Sequence, residues 1–250
     1  MKRYLYWSGG KDSSASIVIC YEKGIHLDGI IMSEVMFDHS RNISGENPKH
    51  IDWVYNVAIP IIERQFGYKV HIIKDHSDYI QEFYHVLTRS KVKEKVGKHK
   101  GFFIGGMCDG LYHLKLRPQK EFAKSVGEHE EIVGIAVDEN NRLARLKNTN
   151  KRSILAENDI SEEMTYDICK KYNLLSPLYK NKNRGGCWFC PNQSIKDLAK
   201  LKKEYPNLWQ ELKELSQVEN LASDGFKWGK TFSQVEEEVD IINSQLNMFD

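Results

Sequence analysis

Six consecutive residues, Ser8-Gly9-Gly10-Lys11-Asp12-Ser13, carry the groups that hold a polyphosphate. They follow a short apolar run, Tyr4-Leu5-Tyr6-Trp7, and precede a helical pattern from Ser14 to Glu22. Strand, glycine turn, then helix is the arrangement that aims backbone N–H groups at an anion. The two glycines let the chain turn sharply and approach a phosphate with no Cβ between them. Ser8, Ser13 and Ser14 add hydroxyl donors, Lys11 a full positive charge, and the helix N-terminus a partial one. Asp12 would repel the anion, so it reads as a helix cap or a magnesium ligand. Adjacent glycines, without a second one at G-x-x-x-x-G-K-[ST] spacing, exclude a Walker A loop.

A second set of reactive side chains is the cysteines. The chain of 250 residues has five, with 36 basic and 35 acidic side chains. Balanced charge and the lack of any apolar run of membrane-spanning length give no sign of a membrane and point to a cytoplasmic protein. The N-terminal MKRYLYW ends its apolar stretch at Trp7, too soon for a signal peptide. Thiols are then expected reduced, as ligands, nucleophiles or core residues. Cys187-Trp188-Phe189-Cys190 is a CxxC turn, which places two thiolates on one metal or forms a redox pair. Cys108, after a strand-like end at Phe102 to Ile104, is the candidate third ligand. Cys20 and Cys169 fall on helical patterns and read as core thiols.

The elements that must position these groups alternate. Strands are expected over 3–7, 27–32, 69–73 and 131–137, with a short one at 102–104. Helices are expected over 13–23, 49–66 with Pro60 as a kink or break, 79–96, 116–125 and 160–172. That alternation implies an α/β fold with a doubly wound parallel sheet and helices on both faces. Ligands of such sheets bind at the carboxyl ends of the strands, where the glycine turn lies. Beyond Pro177 the composition shifts to Lys, Asn and Gly around the CxxC, followed by helical patterns over 195–217 and 232–246. A nucleotide-binding region over 1–180 and a cysteine loop with helical extension over 181–250 are the expected divisions, packed together or apart.

SGGKDS resembles the pyrophosphate loop of the ATP pyrophosphatases, the PP-loop or adenine nucleotide alpha hydrolase-like enzymes. Within them the chain is similar to the phosphoadenylyl-sulfate and adenylyl-sulfate reductase branch. The likeness rests on ordered pieces: SGGKDS, Glu46 and Pro48 after Phe37-Asp38, then Cys108 ahead of Lys115-Leu116-Arg117-Pro118. Gly134-Ile135-Ala136-Val137-Asp138-Glu139 follows with Arg142 and Arg145, then Ser176-Pro177-Leu178-Tyr179 and Cys187-x-x-Cys190. The resemblance implies ATP and Mg2+ as ligands, with Ser8, Gly9, Gly10, Lys11, Asp12, Ser13, Ser14, Asp138, Arg142 and Arg145 binding the nucleotide. Lys11, Asp12 and Ser13 would serve the chemistry. It also implies a [4Fe-4S] cluster on Cys108, Cys187 and Cys190, ahead of zinc as the simpler alternative. Two departures qualify it. Asp109 stands where iron–sulfur members have a second cysteine, leaving His113, Asp109 or substrate as the fourth ligand. No cysteine follows Cys190, whereas the sulfate reductases attack sulfur with one near their C-terminus.

The expected activity is therefore ATP cleavage to AMP and pyrophosphate to adenylate a substrate for sulfur transfer. The alternatives are a sulfonucleotide enzyme of the reductase kind and a non-catalytic nucleotide-binding subunit with structural zinc. Expected partners are a sulfonucleotide or nucleic acid as substrate, a cysteine desulfurase or other sulfur donor, and a second copy in a homodimer. Basic runs over 89–100, 142–152 and 180–184 read first as solvated faces and second as phosphate contacts. Trp7, Phe37, Tyr112 and Trp188 are the aromatics considered for base stacking, with Trp188 expected near the site.

Overall fold

The computed structural model describes residues 1–104, 108, 110–180, 186–223 and 225–246. Its centre is a five-stranded sheet, built from β1 (Lys2–Trp7), β2 (Gly29–Glu34), β5 (Val70–Lys74), β6 (His129–Val133) and β7 (Lys151–Arg152), in the order β5-β2-β1-β6-β7. Every pairing is parallel, with Tyr4 opposite Gly29, Ile30 opposite Val70, Lys2 opposite His129 and Glu131 opposite Lys151. Between β2 and β5 lies a small antiparallel pair, β3 (Met36–Asp38) and β4 (Ile43–Ser44). The α/β parallel-sheet expectation holds. Strand order reverses between β1 and β6, which makes their carboxyl ends the switch point where such sheets bind ligands.

Alternation along β1 explains the two covered faces. Leu5 and Trp7 enter a core with Ile17, Val18, Ile30, Met32, Val54 and Ile132. Tyr4 meets Phe122 edge-on at 5.1 Å on the other side. Two helices, α1 (Lys11–Glu22) and α7 (Glu162–Lys171), pack together, and α5 (Arg117–Val126) lies against β2 and β5. Pro60 does not break its helix. The run from α2 (Pro48–Trp53) through α3 (Ile59–Ile61) carries a π turn on either side, Val54–Ala58 and Ile62–Phe66. Wider turns accommodate the N–H that proline lacks.

Two expected elements differ. The helix over 79–96 is only α4 (Tyr79–Tyr84), because the chain then folds back. Val86 bridges His99, and the Leu87 N–H donates to the Lys98 carbonyl. The β-branched Val86, Val92 and Val96 among lysines supply no helical apolar stripe. Phe102 to Ile104 form no strand. Phe102 and Phe103 instead enter a second, aromatic core with Phe37, Tyr79, Trp188 and Phe189. That core also takes Leu198 of α8 (Ile195–Glu204), Leu212 of α9 (Pro206–Ser216) and Val235 of α10 (Phe232–Leu246). Residues from both sides of position 180 thus share one core. No helix among the described residues is long and apolar enough to cross a membrane.

One carboxylate fastens the last three helices. Glu236 accepts from Trp209 Nε1 at 2.9 Å and from the ammonium groups of Lys202 and Lys213, both at 3.0 Å. Burial alone would raise its pKa, but the three donors outweigh that and bring it down to about 2. A folded-state pKa below the unfolded value of about 4.3 contributes stability above that value and loses it as pH falls. Thermal unfolding followed from pH 6 to pH 2.5 is therefore expected to show an acid-dependent loss that Glu236→Gln flattens. Equal slopes for both proteins would contradict this role.

Candidate functional site

The glycine turn stands at the carboxyl end of β1, beside the end of β6, at the switch point. Gly9 has φ +69°, a left-handed conformation that favours glycine. A Cβ there would lie 2.5 Å from His50 Cε1 and 2.6 Å from Nε2. His50 is buried and fixed at both nitrogens. Nε2 donates to the Ser8 carbonyl at 3.2 Å, and Nδ1 accepts from the Ser176 hydroxyl at 2.9 Å. Burial lowers its pKa, which keeps that tautomer neutral. Gly134, next after β6, approaches the turn from the other side: a Cβ on it would meet Ser13 N at 2.5 Å and Ser13 Cα at 2.7 Å.

Within the turn the serines hold one another. Ser13 Oγ accepts from the Ser8 N–H at 3.2 Å and donates to the Gly10 carbonyl at 3.1 Å. Ser14 is turned away, accepting from Trp7 Nε1 at 2.9 Å in the core, so it is a packing residue of the turn. The N-cap of α1 is Gly10, which has no side chain to satisfy the first-turn N–H groups. The Lys11 N–H donates to the Tyr179 hydroxyl at 3.0 Å.

Lys11 does not point into open solvent. Its ammonium donates to Asp12 Oδ1 at 2.7 Å and Glu162 Oε1 at 2.9 Å. Burial works to lower its pKa, and the two carboxylates outweigh that and raise it. Thr165 Oγ1 also donates to Asp12 Oδ1, at 2.8 Å. Asp138 accepts from the Glu162 N–H at 3.1 Å and so holds the start of α7, one step behind Lys11. Arg142 and Arg145 sit on exposed backbone, in α6 (Asn140–Leu143) and the turn after it, with Arg142 paired to Glu139. No contact joins them to the glycine turn among the described residues. Lys151 and Arg152 are likewise engaged, with Glu131, Glu130 and Glu157 of the sheet edge.

The cysteine site lies in the aromatic core. Glu46 and Cys187 bridge as antiparallel backbone, and the Trp188 N–H donates to the Gly45 carbonyl at 3.0 Å. The five cysteines form no disulfide. Tyr79 lies in the core that Cys108 and Cys187 pack against. Its ring stacks on Phe189 at 4.0 Å and meets Phe103 edge-on at 4.9 Å. Its hydroxyl is buried with no hydrogen-bond partner among the described residues. Burial pushes its pKa well up, and Cys190, Cys108 and Cys187 each add to that. Enclosure likewise pushes the Cys187 thiol well above its usual value, with Glu46 adding and Lys115 opposing. Half-buried Lys115 reaches Glu46 Oε1 at 3.8 Å, and that carboxylate, with Cys187, holds its ammonium above the ordinary value. Among the described residues, no three His, Cys, Asp or Glu side chains gather as a single metal ion requires.

The other expectations sort as follows. Cys20 and Cys169 are fully buried, and burial pushes both thiols up to about 12. His113 faces Glu82 at 3.7 Å and Arg117 at 3.5 Å. Asp109, Lys182 and Arg184 lie outside the described residues. Trp7, Phe37 and Trp188 are core rings, Trp188 only 1% exposed, and are closed to a base. Tyr112 is exposed but covered by Lys120, 4.7 Å above its ring. Sequence reasoning missed His50, Glu162, Thr165 and Tyr79, and gave Tyr179 only as part of the resemblance, without a role. A buried histidine and a lone tyrosine carry no local signal; only the fold brings them to the site.

No family model matches the chain, and no curated protein matches it. Among solved structures, the U34-tRNA thiolase NcsA from Methanococcus maripaludis, with its [4Fe-4S] cluster, aligns with 88% of this chain and 73% of that one. The sequence identity is 14% and the TM-score 0.42. A likeness that loose carries no argument, and the chemistry must be drawn from this chain's own residues.

Proposed function

We propose that this chain is an ATP pyrophosphatase-type enzyme that cleaves ATP between its α and β phosphates to adenylate an acceptor for sulfur transfer. One observation carries the reading: a left-handed Gly9 and a side-chain-free helix cap at the switch point, with no room for a Cβ at Gly9 or Gly134. Such a turn brings backbone N–H groups against phosphate oxygens.

In the proposed reaction the amides of Gly9, Gly10 and Asp12 and the hydroxyls of Ser8 and Ser13 hold the β and γ phosphates, while the Lys11 amide stays on the Tyr179 hydroxyl. An acceptor oxygen bonds to the α phosphorus while the bond from that phosphorus to the bridging oxygen breaks. Pyrophosphate leaves with the bridging electrons, and the acceptor's proton passes to solvent. Asp12 would hold magnesium through Oδ2, since both of its hydrogen bonds fall on Oδ1. The ion would supply positive charge to the leaving pyrophosphate. Lys11, tied to Asp12 and Glu162, orients that carboxylate and adds its own charge.

Cys108, Cys187 and Cys190 would hold an iron–sulfur cluster. The fit rests on the donor set and on the Tyr79 hydroxyl, a buried donor without a hydrogen-bond partner among the described residues, in the aromatic core that Cys108 and Cys187 pack against. A cluster would supply inorganic sulfide, both as an acceptor for that hydroxyl and as sulfur chemistry beside the nucleotide. A lone zinc ion would leave the donor unanswered.

Incubation of the protein with ATP, magnesium, bulk nucleic acid and sulfide is expected to give pyrophosphate on adenylation and an equal amount of AMP, because hydrosulfide bonds to the activated carbon of the adenylated acceptor while the carbon–oxygen bond breaks and AMP leaves with that oxygen. Asp12→Asn is expected to lower both by about 100-fold or more, the scale seen when one group opposing transition-state charge is removed. Formation of ADP and phosphate, or no cleavage with any acceptor supplied, would overturn the reading.

A further inference from the structure

A short helical turn, Pro177–Lys180, reaches back to the glycine turn from the far end of the chain. It is held firmly. The Tyr179 N–H donates to the Ser176 carbonyl at 3.0 Å, and Leu178 is buried beneath it. The Ser176 hydroxyl donates to His50 Nδ1 at 2.9 Å, and the other nitrogen of that imidazole holds the Ser8 carbonyl at 3.2 Å. The base of the helical turn is thus tied, through one buried histidine, to the residue on which the glycine turn begins.

Tyr179 places its hydroxyl oxygen directly on the glycine turn. That oxygen accepts the Lys11 N–H at 3.0 Å, across 168 positions of sequence. A Cβ on Gly10 would lie 3.3 Å from it and 3.2 Å from Ser8 Oγ, so two hydroxyls flank one point above Gly10. The Lys11 amide is a first-turn donor of α1 with no partner inside the helix, and Gly10 has no side chain to cap it. A serine or aspartate at position 10 is the ordinary remedy. Here either would crowd both hydroxyls, and an aspartate would also repel phosphate.

Accepting the amide uses only a lone pair of the phenol oxygen. The hydroxyl proton is left over, and no acceptor among the described residues takes it. The incoming N–H polarises the O–H bond and makes it a stronger donor. Burial raises the Tyr179 pKa, with the Lys11 N–H working the other way, so the phenol is protonated at neutral pH. An anion on the turn therefore meets an anchored neutral donor where it would otherwise meet the amide.

We propose that Tyr179 is a phosphate-binding residue of this site: anchored on the Lys11 amide, its hydroxyl donates to an oxygen of the β or γ phosphate. This role rests on the phosphate-binding part of the function proposed above. Negative charge grows on pyrophosphate as it leaves, and a fixed donor aimed at it then binds more strongly.

The test is isothermal titration calorimetry of the full chain with magnesium pyrophosphate and with α,β-methylene-ATP, which cannot be cleaved between those phosphates. The wild type is expected to bind both. Tyr179→Phe keeps the ring, removes the hydroxyl and is expected to weaken both about tenfold or more, the scale of a hydrogen bond to a charged group. It also strips the Lys11 amide of its partner, so a second variant separates binding from capping. This is 3,5-difluorotyrosine at position 179, whose phenol ionises at lower pH. As a phenolate it caps the amide better, but it has no proton to give and repels phosphate. Its affinity for pyrophosphate is expected to fall below that of the wild type as pH rises from about 7 to 9, with no loss of Tm. Unchanged affinity in Tyr179→Phe, or a difluorotyrosine variant that follows the wild type at every pH, would make the residue a helix cap only and overturn the proposal, leaving the glycine turn as a phosphate site. A wild type that binds neither ligand would overturn the phosphate site and the role of Tyr179 together. Binding that depends on Tyr179, in a protein that never forms AMP and pyrophosphate, would sink the proposed reaction and leave this role standing.

Discussion

Gly134→Ala is expected to abolish AMP and pyrophosphate formation while leaving the sheet folded. The added Cβ would lie 2.5 Å from Ser13 N, 2.7 Å from Ser13 Cα and 2.8 Å from the Asp12 carbonyl carbon. These are backbone atoms of the first turn of α1, so no rotamer change relieves the contact. Either β6 or the start of α1 must move. The helix is the softer partner, because its N-cap makes no side-chain bond and its first turn leads straight from the glycine turn. Overpacking of this kind costs about 1–3 kcal/mol. Displacing a phosphate-binding turn by about 1 Å is worth about 100-fold in rate. We expect a lower Tm, an unchanged far-ultraviolet circular dichroism spectrum, and at least that loss of activity. Gly127→Ala is the control. Gly127 has φ +75° but nothing within 4 Å of an added Cβ, so it should cost stability through backbone strain alone and keep its activity. Activity retained in Gly134→Ala would remove the glycine turn from the reaction.

The same glycine shows how far the site was legible before folding. Gly134 reads only as the first residue of a motif-like segment; its purpose is a contact across the sheet, more than 100 positions from Ser13. Local features read well. The apolar run, glycines and helical pattern of β1, the turn and α1 are all within the first 22 residues, and the observed bounds match closely. The strands over 29–34 and 70–74 lie within two residues of expectation and the one over 129–133 within four, because apolar runs between helical patterns are local too. What failed was non-local. Tyr84 ends α4 because Val86 finds His99, and Phe102 and Phe103 join an aromatic core in place of a sheet. The resemblance implies Arg142 on the nucleotide, yet β6 ends at Val133 and the arginine pairs with Glu139 on the surface.

Replacing Cys187 tests the cysteine site with the largest spectroscopic effect. Protein purified without oxygen is expected to be brown, with about four iron and four sulfide per chain for a cubane cluster. Cys187→Ser, Cys190→Ser and Cys108→Ser are each expected to bring both below a tenth of that. Cys20→Ala, which removes a thiol from the sheet core, should lower Tm and leave the iron in place. Because Cys187 bridges Glu46 and flanks Trp188, its loss could unfold the aromatic core and release iron indirectly. Tyr79→Phe separates these cases. It keeps the ring stacked on Phe189 and edge-on to Phe103 and removes only the hydroxyl, which has no partner among the described residues. A donor beside cluster sulfur stabilises the more negative, reduced state, so its removal is expected to lower the reduction potential with iron content unchanged. Stoichiometric zinc without colour would make the three thiols a structural clasp, and the orphaned hydroxyl would then have no partner in the holoprotein either. A colourless, metal-free protein whose Tyr79→Phe variant gains stability would mean that the hydroxyl is merely a buried, unsatisfied group, and the cluster would have no support left in this structure.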